Sequence, residues 1–145
     1  MRIALASDHA GFTLKEKIED SLAKAGHVLF DCGAMNDERS DYPDFAKKAA
    51  ALVASGDCDR AVLVCGSGIG MCMTANRTKG IRAAVLRDGE DAKMSRLHND
   101  ANVACLGGRV TEASKALELI ALFLSTPFEG GRHVARIAKI ETEGK

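Results

Sequence analysis

Short apolar runs alternate along the chain with longer segments in which apolar residues recur at helical spacing. The strongest run, residues 61–65, is a continuous apolar segment typical of a strand covered on both faces. Similar runs predict four further strands at residues 3–6, 27–30, 81–86 and 103–106. Strand–helix alternation requires right-handed crossovers, so the pattern predicts an α/β protein: a Rossmann-like three-layer αβα sandwich with a five-stranded parallel sheet.

Helices are predicted between these strands. The first carries Leu14, Ile18 and Leu22 on one face, because their spacing matches the helical repeat. A short helix leads away from the third strand and is expected to end near Lys79. The fourth strand is followed by a helix predicted over residues 90–97.

Two more helices are predicted after the last strand. Thr111 has a side chain suited to capping the first of them. The inner face of that helix is predicted to carry four apolar residues at helical spacing, Leu117, Ile120, Ala121 and Leu124. Its apolar stretch 119–124 is also expected to be able to pack against a neighbouring subunit. The last helix is predicted over about 132–141, and residues 1–145 are expected to form a single domain without linker or repeat.

Composition restricts the classes of partner. The 20 Lys and Arg residues balance 20 Asp and Glu residues and are interspersed with them, which removes the long-range field that a nucleic-acid or anionic-membrane binder needs. No apolar run approaches the roughly 20 residues that span a bilayer, and the N-terminal run is too short for a signal peptide. We therefore expect a soluble cytoplasmic protein that binds neither nucleic acid nor membrane.

The five cysteines are expected to be free thiols. Their number is odd, and Cys65 and Cys105 lie within apolar runs that predict strands. Cys58, Cys65 and Cys72 are separated by seven residues each, whereas a zinc site uses closely spaced pairs. The sequence therefore predicts no metal site.

Loops that contain charged, polar or glycine residues follow several predicted strands. Asp8 and His9 follow the first strand, residues 66–70 the third and Arg109 the fifth, while the segment 98–100 follows the helix predicted over residues 90–97. Ligands of open parallel sheets bind beyond the carboxyl ends of the strands. We therefore expect these loops to form the functional site.

The glycine-rich loop 66–70 suits an anion, because closely spaced glycines let backbone N–H groups turn inward at a helix start. The loop is not a Walker motif and fits the dinucleotide fingerprint imperfectly, and a structural tight turn is an alternative. Directly before it, Cys65 would feel the positive end of the helix dipole, which favours a thiolate and makes the sulfur a candidate base. The alternative is a small hydrophobic core residue.

Seven segments resemble the ribose-5-phosphate isomerase B family, in the family's order, from about residue 2 to residue 140. They are residues 8–12 with 14–15, 41–43, 65–70 with 75–77, 80–83, 95–103, 107–109 and 130–133. The resemblance implies an enzyme that uses no metal and no cofactor. Its substrate is a small-molecule sugar phosphate, and it interconverts D-ribose 5-phosphate and D-ribulose 5-phosphate through a cis-enediolate.

The resemblance also implies a role for each site residue. Cys65 is implied to be the base that moves a proton between C1 and C2, and His98 the acid that opens the sugar ring, with Asp8 as an assistant. The residues implied to stabilise the enediolate oxygen through the loop are Gly66, Ser67, Gly68, Ile69 and Gly70. The residues implied to bind phosphate are His9, Arg109, Arg132 and Arg136.

Two more substrate contacts and the assembly follow from the same resemblance. Asn99 is implied to hold sugar hydroxyls, and Tyr42 to form a pocket wall, with surface packing as its alternative. The family implies a homodimer, with a tetramer also open, and the helix about 132–141 at the subunit interface. In that dimer each site combines Cys65 of one chain with His98 of the other.

Three other functions stay open from the sequence. The substrate could be another aldose phosphate, such as allose 6-phosphate, galactose 6-phosphate or a tetrose phosphate. The chain could also be a non-catalytic sugar-phosphate-binding subunit. An NAD-dependent oxidoreductase is disfavoured, because the strict fingerprint and a substrate domain are missing.

Overall fold

A five-stranded parallel sheet forms the centre of the protein in a computed structural model that describes residues 1–141. Its strands β1 to β5, in chain order, are Arg2–Ser7, Val28–Asp31, Arg60–Cys65, Ala83–Val85 and Val103–Gly107. Their order across the sheet is β2-β1-β3-β5-β4, so the connection from β3 to β4 passes over the position that β5 fills. The predicted α/β sandwich is confirmed. The last four residues of the predicted domain, 142–145, lie outside the described residues.

Helices cover both faces of the sheet. Within the described residues, helices α1 to α6 are Phe12–Lys24, Tyr42–Ala54, Ile69–Ala75, Gly89–Leu97, Ala113–Ser125 and Arg132–Ile140. An apolar cluster joins α1, α4 and α5 to one face of the sheet, and a second cluster joins α2 and α3 to the other face. Among the described residues, no helix combines the length and apolar character needed to cross a membrane.

The sequence of β3 is apolar without interruption because both of its faces are covered. Val62 and Val64 point into the cluster on one face of the sheet, whereas Ala61, Leu63 and Cys65 belong to the cluster on the other. Successive side chains of a strand alternate between faces, and both faces are covered by helices. No position in β3 from residue 61 onward is therefore left for a solvated polar side chain.

The predicted inner face of α5 is wrong in register. Its buried residues are Ala116, Leu119, Ile120 and Phe123, a series with the predicted spacing but shifted by one position. Both faces of this helix are rich in apolar residues, so periodicity alone did not separate them. Within the stretch 119–124, Leu119, Ile120 and Phe123 belong to the core of their own chain, and the packing of this stretch against a neighbouring subunit stays a prediction. Thr111 does not cap the helix either, because the N-cap residue is Glu112.

The boundaries of two other elements also differ from those predicted. α3 ends at Ala75, before the predicted Lys79, and β4 spans only Ala83–Val85. The last helix has the predicted extent, but only His133 of α6 is buried. Its apolar side chains Val134 and Ile140 are 56% and 58% exposed.

A buried ion pair fixes α1 to the end of β2. The ammonium group of Lys15, whose side chain is 1% exposed, lies 2.7 Å from both carboxylate oxygens of Asp31 and donates to the carbonyl oxygen of Ala34 at 2.7 Å. All three of its protons therefore have acceptors. Asp31 in turn accepts the backbone N–H of Gly33 at 2.9 Å, so the pair also orders the start of the loop after β2.

We expect Lys15→Met to lower the free energy of unfolding by about 3 kcal/mol, because removing one partner of a buried pair leaves the other charge uncompensated. Urea denaturation monitored by circular dichroism measures the change. The matched control is Lys115→Met, since Lys115 pairs with Glu118 at 3.2 Å on the surface and such pairs contribute under about 1 kcal/mol. Equal losses of unfolding free energy in the two variants would contradict the stabilising role of the buried Lys15 pair.

Candidate active site

The ends of β1, β3 and β5 lie side by side at one edge of the sheet, called here the carboxyl edge. Cys65, at the end of β3, lies opposite the last residue of β5. The loops that follow the strands touch: a Cβ atom on Gly11 would lie 2.3 Å from the carbonyl oxygen of Val64, and one on Gly108 would lie 2.6 Å from that of Ala10. Glycine at these two positions is therefore what lets the loops converge.

Cys65 combines burial with a polar contact at its sulfur. The residue is 4% exposed and belongs to an apolar cluster, yet its Sγ accepts the backbone N–H of Gly68 at 3.2 Å. Gly68 has a φ of 81°, in the left-handed region that favours glycine, and this conformation aims its amide back at the sulfur. Cys65 therefore makes a polar contact at its sulfur that a purely hydrophobic core residue would lack.

Two side chains lie against the glycine loop. A Cβ atom on Gly66 would be 3.3 Å from Nη1 of Arg109, and one on Gly70 would be 2.6 Å from the ring of Tyr42. The backbone N–H of Arg109 also donates to the carbonyl oxygen of Gly66 at 3.1 Å. The loop is thus flanked by a guanidinium group on one side and a phenol ring on the other. Ser67 and Ile69 lie between these positions, and the N–H of Ile69 donates to Oγ of Ser67 at 3.2 Å.

Asp8 and His9 follow β1 at the same edge. Asp8 is buried, and its Oδ1 accepts the N–H groups of Ala10 and Gly11 at 2.9 and 3.0 Å. Nδ1 of His9 lies 3.2 Å from the backbone nitrogen of Ser40, which leaves Nε2 as the other nitrogen available to a ligand. Ser40 was not identified from the sequence, because it lies in an aperiodic polar loop that carries no motif.

The segment around His98 lies at the opposite edge of the sheet, called here the amino edge. His98 is the C-cap of α4, and residues 99–102 lead into β5, whose first residue Val103 pairs with Ala61. Cys65 is four residues further along β3, so a rise of about 3.3 Å per residue separates the two ends by roughly 13 Å. Contrary to the expectation from the loops alone, one chain does not place His98 beside Cys65.

α6 lies at the amino edge as well. The N–H of Glu129, just before α6, donates to the carbonyl of the last residue of α4 at 3.1 Å. The ring of His133 stacks on that of His98 with centroids 4.3 Å apart. Arg132 and Arg136, both exposed, are carried by the same helix. The structure therefore groups the predicted site residues of α4 and α6 with each other and apart from the carboxyl edge.

Arg82 ties this amino-edge group together, although the sequence assigned it no role. Its Nε donates to the carbonyl oxygen of Asn99 at 3.0 Å, and its Nη2 to that of Asp100 at 3.0 Å. It also pairs with Glu141, which caps the end of α6. Asp100 has a positive φ of 45° and accepts from Nη1 of Arg96 at 2.7 Å. These contacts hold the turn after α4 in one conformation.

The thiol of Cys72, in α3, has a perturbed pKa. The pKa of Cys72 is lowered to about 7, mainly by a hydrogen bond from the thiol of Cys105. Burial opposes this shift, and hydrogen bonds from the backbone of Val85 and the side chain of Asn76 add to it. Cys105 is fully buried, and burial raises its own pKa well above the usual value, so it remains a thiol and a donor. Sequence reasoning did not single out Cys72, because the pairing joins α3 to β5 across the core.

Two groups of side chains in the described part of the chain bring three candidate metal-ligand atoms within 4.8 Å of one another. One comprises Glu16, Glu19 and Asp31, where Asp31 is already paired with Lys15. The other comprises His98, Glu129 and His133. The two imidazoles of that group are stacked with an interplanar angle of 19°.

Comparison with known proteins places this geometry in a family. A family model described as Ribose/Galactose Isomerase matches residues 3–140. The chain is 40% identical over 139 residues to ribose-5-phosphate isomerase B of Escherichia coli (strain K12), covering 96% of this chain and 93% of that protein. It is 43% identical to a putative sugar phosphate isomerase of Bacillus subtilis (strain 168), covering 97% and 95%.

Two solved structures show the same architecture. A ribose 5-phosphate isomerase from Thermotoga maritima superposes with a TM-score of 0.96 at 46% identity, covering 98% of each chain. Ribose-5-phosphate isomerase B from Mycoplasma genitalium with bound ribulose-5-phosphate superposes with a TM-score of 0.92 at 42% identity, covering 97% of this chain and 93% of that one. The chain belongs to the Ribose/Galactose Isomerase family.

Proposed function

We propose that this protein is an aldose–ketose isomerase that interconverts D-ribose 5-phosphate and D-ribulose 5-phosphate through a cis-enediolate. The observation that carries the proposal is the sulfur of Cys65, buried at the carboxyl edge and 3.2 Å from the N–H of Gly68. The relatives named above support the substrate, and one of them is solved with ribulose-5-phosphate bound.

Cys65 is the base in this proposal. Its sulfur removes the proton on C2 of the open-chain aldose and returns it to C1, which is the proton-transfer role of a general base. Negative charge then develops on the sugar oxygens. Backbone N–H groups of residues 66–70 stabilise that charge, as an oxyanion hole does, with a typical contribution of about 3 kcal/mol per donor.

Ring opening and phosphate binding use the remaining residues. His98 is the acid that opens the furanose ring, with Asp8 as an assistant, because histidine exchanges protons readily near neutrality. The phosphate-binding residues in the proposal are His9, Arg109, Arg132 and Arg136, whose guanidinium groups pair with a dianion through two parallel hydrogen bonds. Asn99 holds sugar hydroxyls, and Tyr42 forms a wall beside the glycine loop.

A homodimer completes the site. Cys65 and the residues around it lie at the carboxyl edge, whereas His98, Arg132 and Arg136 lie at the amino edge of the same chain. A two-fold dimer brings the carboxyl edge of one chain to the amino edge of its partner and forms two equivalent sites. The exposed apolar residues of α6, Val134 and Ile140, suit that helix to the interface. The cytoplasmic location and the single domain over residues 1–145 stay predictions. The pairing of dimers into a tetramer also stays a prediction.

One alternative substrate has a specific observation behind it, because the family description includes galactose as well as ribose. Initial rates on four-, five- and six-carbon aldose phosphates under identical conditions identify the substrate. The proposal requires the highest kcat/KM on ribose 5-phosphate. No turnover of any aldose phosphate would instead favour a non-catalytic sugar-phosphate-binding subunit.

We expect Cys65→Ala to lower kcat on ribose 5-phosphate at least ~100-fold, the scale of a lost general base, with little change in the affinity for a phosphate ligand. Coupled kinetics and inhibition by inorganic phosphate measure the two effects. Cys58→Ala is the matched control, since Cys58 is equally buried but lies outside the candidate site. Activity of Cys65→Ala within a few-fold of the unsubstituted protein would refute the assignment.

Alkylation of Cys72 by iodoacetamide is expected to accelerate as the pH rises through about 7 and then to level off, because only the thiolate reacts and the pKa of Cys72 is about 7. Peptide mass spectrometry follows the modification. Cys72→Ser should lose the modified peptide and keep isomerase activity within about twofold, since Cys72 has no part in the proposed chemistry. A rate that still climbs steeply above pH ~8.5, like that of an ordinary thiol, would contradict the lowered pKa.

Mixing Cys65→Ala with His98→Asn should restore activity on ribose 5-phosphate. A mixed dimer contains one doubly damaged site and one intact site, and random mixing makes half of the dimers mixed, so roughly a quarter of full activity should return. The two variants are unfolded and refolded together, and the mixed dimers are verified by native mass spectrometry. If mixed dimers form without regaining activity, the site is not shared between chains in this way.

A further inference from the structure

Glu129 lies between two stacked histidines at the amino edge. Its Oε2 is 3.6 Å from Nε2 of His98 and 3.5 Å from Nε2 of His133. The two imidazole rings are stacked, with centroids 4.3 Å apart and an interplanar angle of 19°. One carboxylate oxygen therefore faces the same nitrogen of both rings, and we call this group the histidine–glutamate cluster.

The cluster is assembled from three separate parts of the chain. His98 caps the end of α4, His133 lies in the first turn of α6, and Glu129 belongs to the loop before α6. His133 is 3% exposed, and its buried Nε2 has no hydrogen-bond partner among the described residues. The other two residues remain open to solvent, with side chains 39% and 53% exposed for His98 and Glu129. The cluster is thus fixed on one side and accessible on the other.

The carboxylate is not needed to attach this loop to α4. The backbone N–H of Glu129 already donates to the carbonyl oxygen of Leu97 at 3.1 Å, and this contact is independent of the side chain. More than half of the Glu129 side chain is exposed, so it contributes little to packing. What the side chain adds is a negative charge at Nε2 of His98.

We propose that Glu129 is a positioning residue for ring opening, and this inference rests on the function proposed above for His98. The carboxylate keeps a proton on Nε2 of His98, which directs Nδ1 toward the sugar, as a carboxylate does for other working histidines. The stacked ring of His133 blocks one face of His98 and limits rotation of its imidazole. Together the two neighbours hold the ring-opening acid in one orientation and one tautomer.

The proton movements in this step balance. Protonated His98 gives the proton on Nδ1 to the ring oxygen O4 as the C1–O4 bond breaks and its electron pair passes to that oxygen. The proton on O1 then returns to Nδ1 as the C1–O1 double bond forms. His98 ends in its starting state, and Glu129 keeps its negative charge beside the Nε2 proton throughout.

Glu129→Gln tests the proposal by comparing two substrates. Ribose 5-phosphate is mostly a closed ring, whereas ribulose 5-phosphate cannot form a furanose because its C5 oxygen carries the phosphate. We expect kcat on ribose 5-phosphate to fall roughly tenfold, a fraction of the factor of 10² to 10⁴ that a proton-transfer group supplies, with KM unchanged. The initial rate from ribulose 5-phosphate should change less than about twofold, since the chemistry at C1 and C2 is intact.

Three further variants make the outcome decisive. Glu118→Gln removes a similarly exposed carboxylate, which pairs with Lys115 at 3.2 Å on the surface of α5, and should alter neither rate. Glu129→Asp retains the charge and should recover part of the lost kcat. His98→Asn should show a larger version of the same difference between substrates.

Each result has one interpretation. If His98→Asn slows both substrates equally, the ring-opening role fails and the proposed function must be revised. If His98→Asn separates the substrates but Glu129→Gln does not, then Glu129 is not a positioning residue and only this inference is overturned. An equal loss on both substrates in Glu129→Gln, with a lowered melting temperature, would likewise overturn it in favour of a structural role.

Discussion

In a parallel sheet, a loop that follows a strand and a loop that follows a helix lie at opposite edges, and this constraint decides how the candidate site is built. Cys65 follows its strand directly, whereas His98 follows a helix. The distance between them within one chain is therefore a property of the topology and not of a loop conformation. A change in loop conformation cannot bring Cys65 and His98 together, because the sheet lies between them. The proposed chemistry therefore requires a second chain.

The two edges are stabilised in different ways. At the carboxyl edge, backbone packs against backbone, and the amide of Gly68 meets the sulfur of Cys65. At the amino edge, charged side chains bind the loops: Arg82 holds the turn after α4 and reaches Glu141 at the end of α6. Cys65, the proposed base, is consequently placed by the central strands of the sheet. His98, the proposed ring-opening acid, is placed by an ion-pair network near the surface, which is more sensitive to substitution and salt.

The strands and the carboxyl-edge residues could be predicted because their signals are local. A continuous apolar run ending in closely spaced glycines identifies both β3 and the loop after Cys65. The register of α5 could not be derived, because this helix is apolar on two faces and only packing selects one. Ser40 and Glu129 carry no sequence signal, since one lies in an aperiodic loop and the other is an exposed acid. Their contacts with His9 and His98, each 31 residues away in the chain, are visible only in the folded structure.

A substitution at Gly11 would affect the sheet even though Gly11 has no proposed contact with the substrate. A side chain there would overlap the carbonyl oxygen of Val64, the residue before Cys65. Because that oxygen belongs to the central part of the sheet, relief of the overlap has to displace either α1 or β3, the strand that carries the proposed base. Positions that tolerate substitution poorly in this protein therefore include some that do not contact the substrate. In a saturation mutagenesis experiment, Gly11 would rank with the reacting residues, and a ranking based on distance from the ligand would miss it.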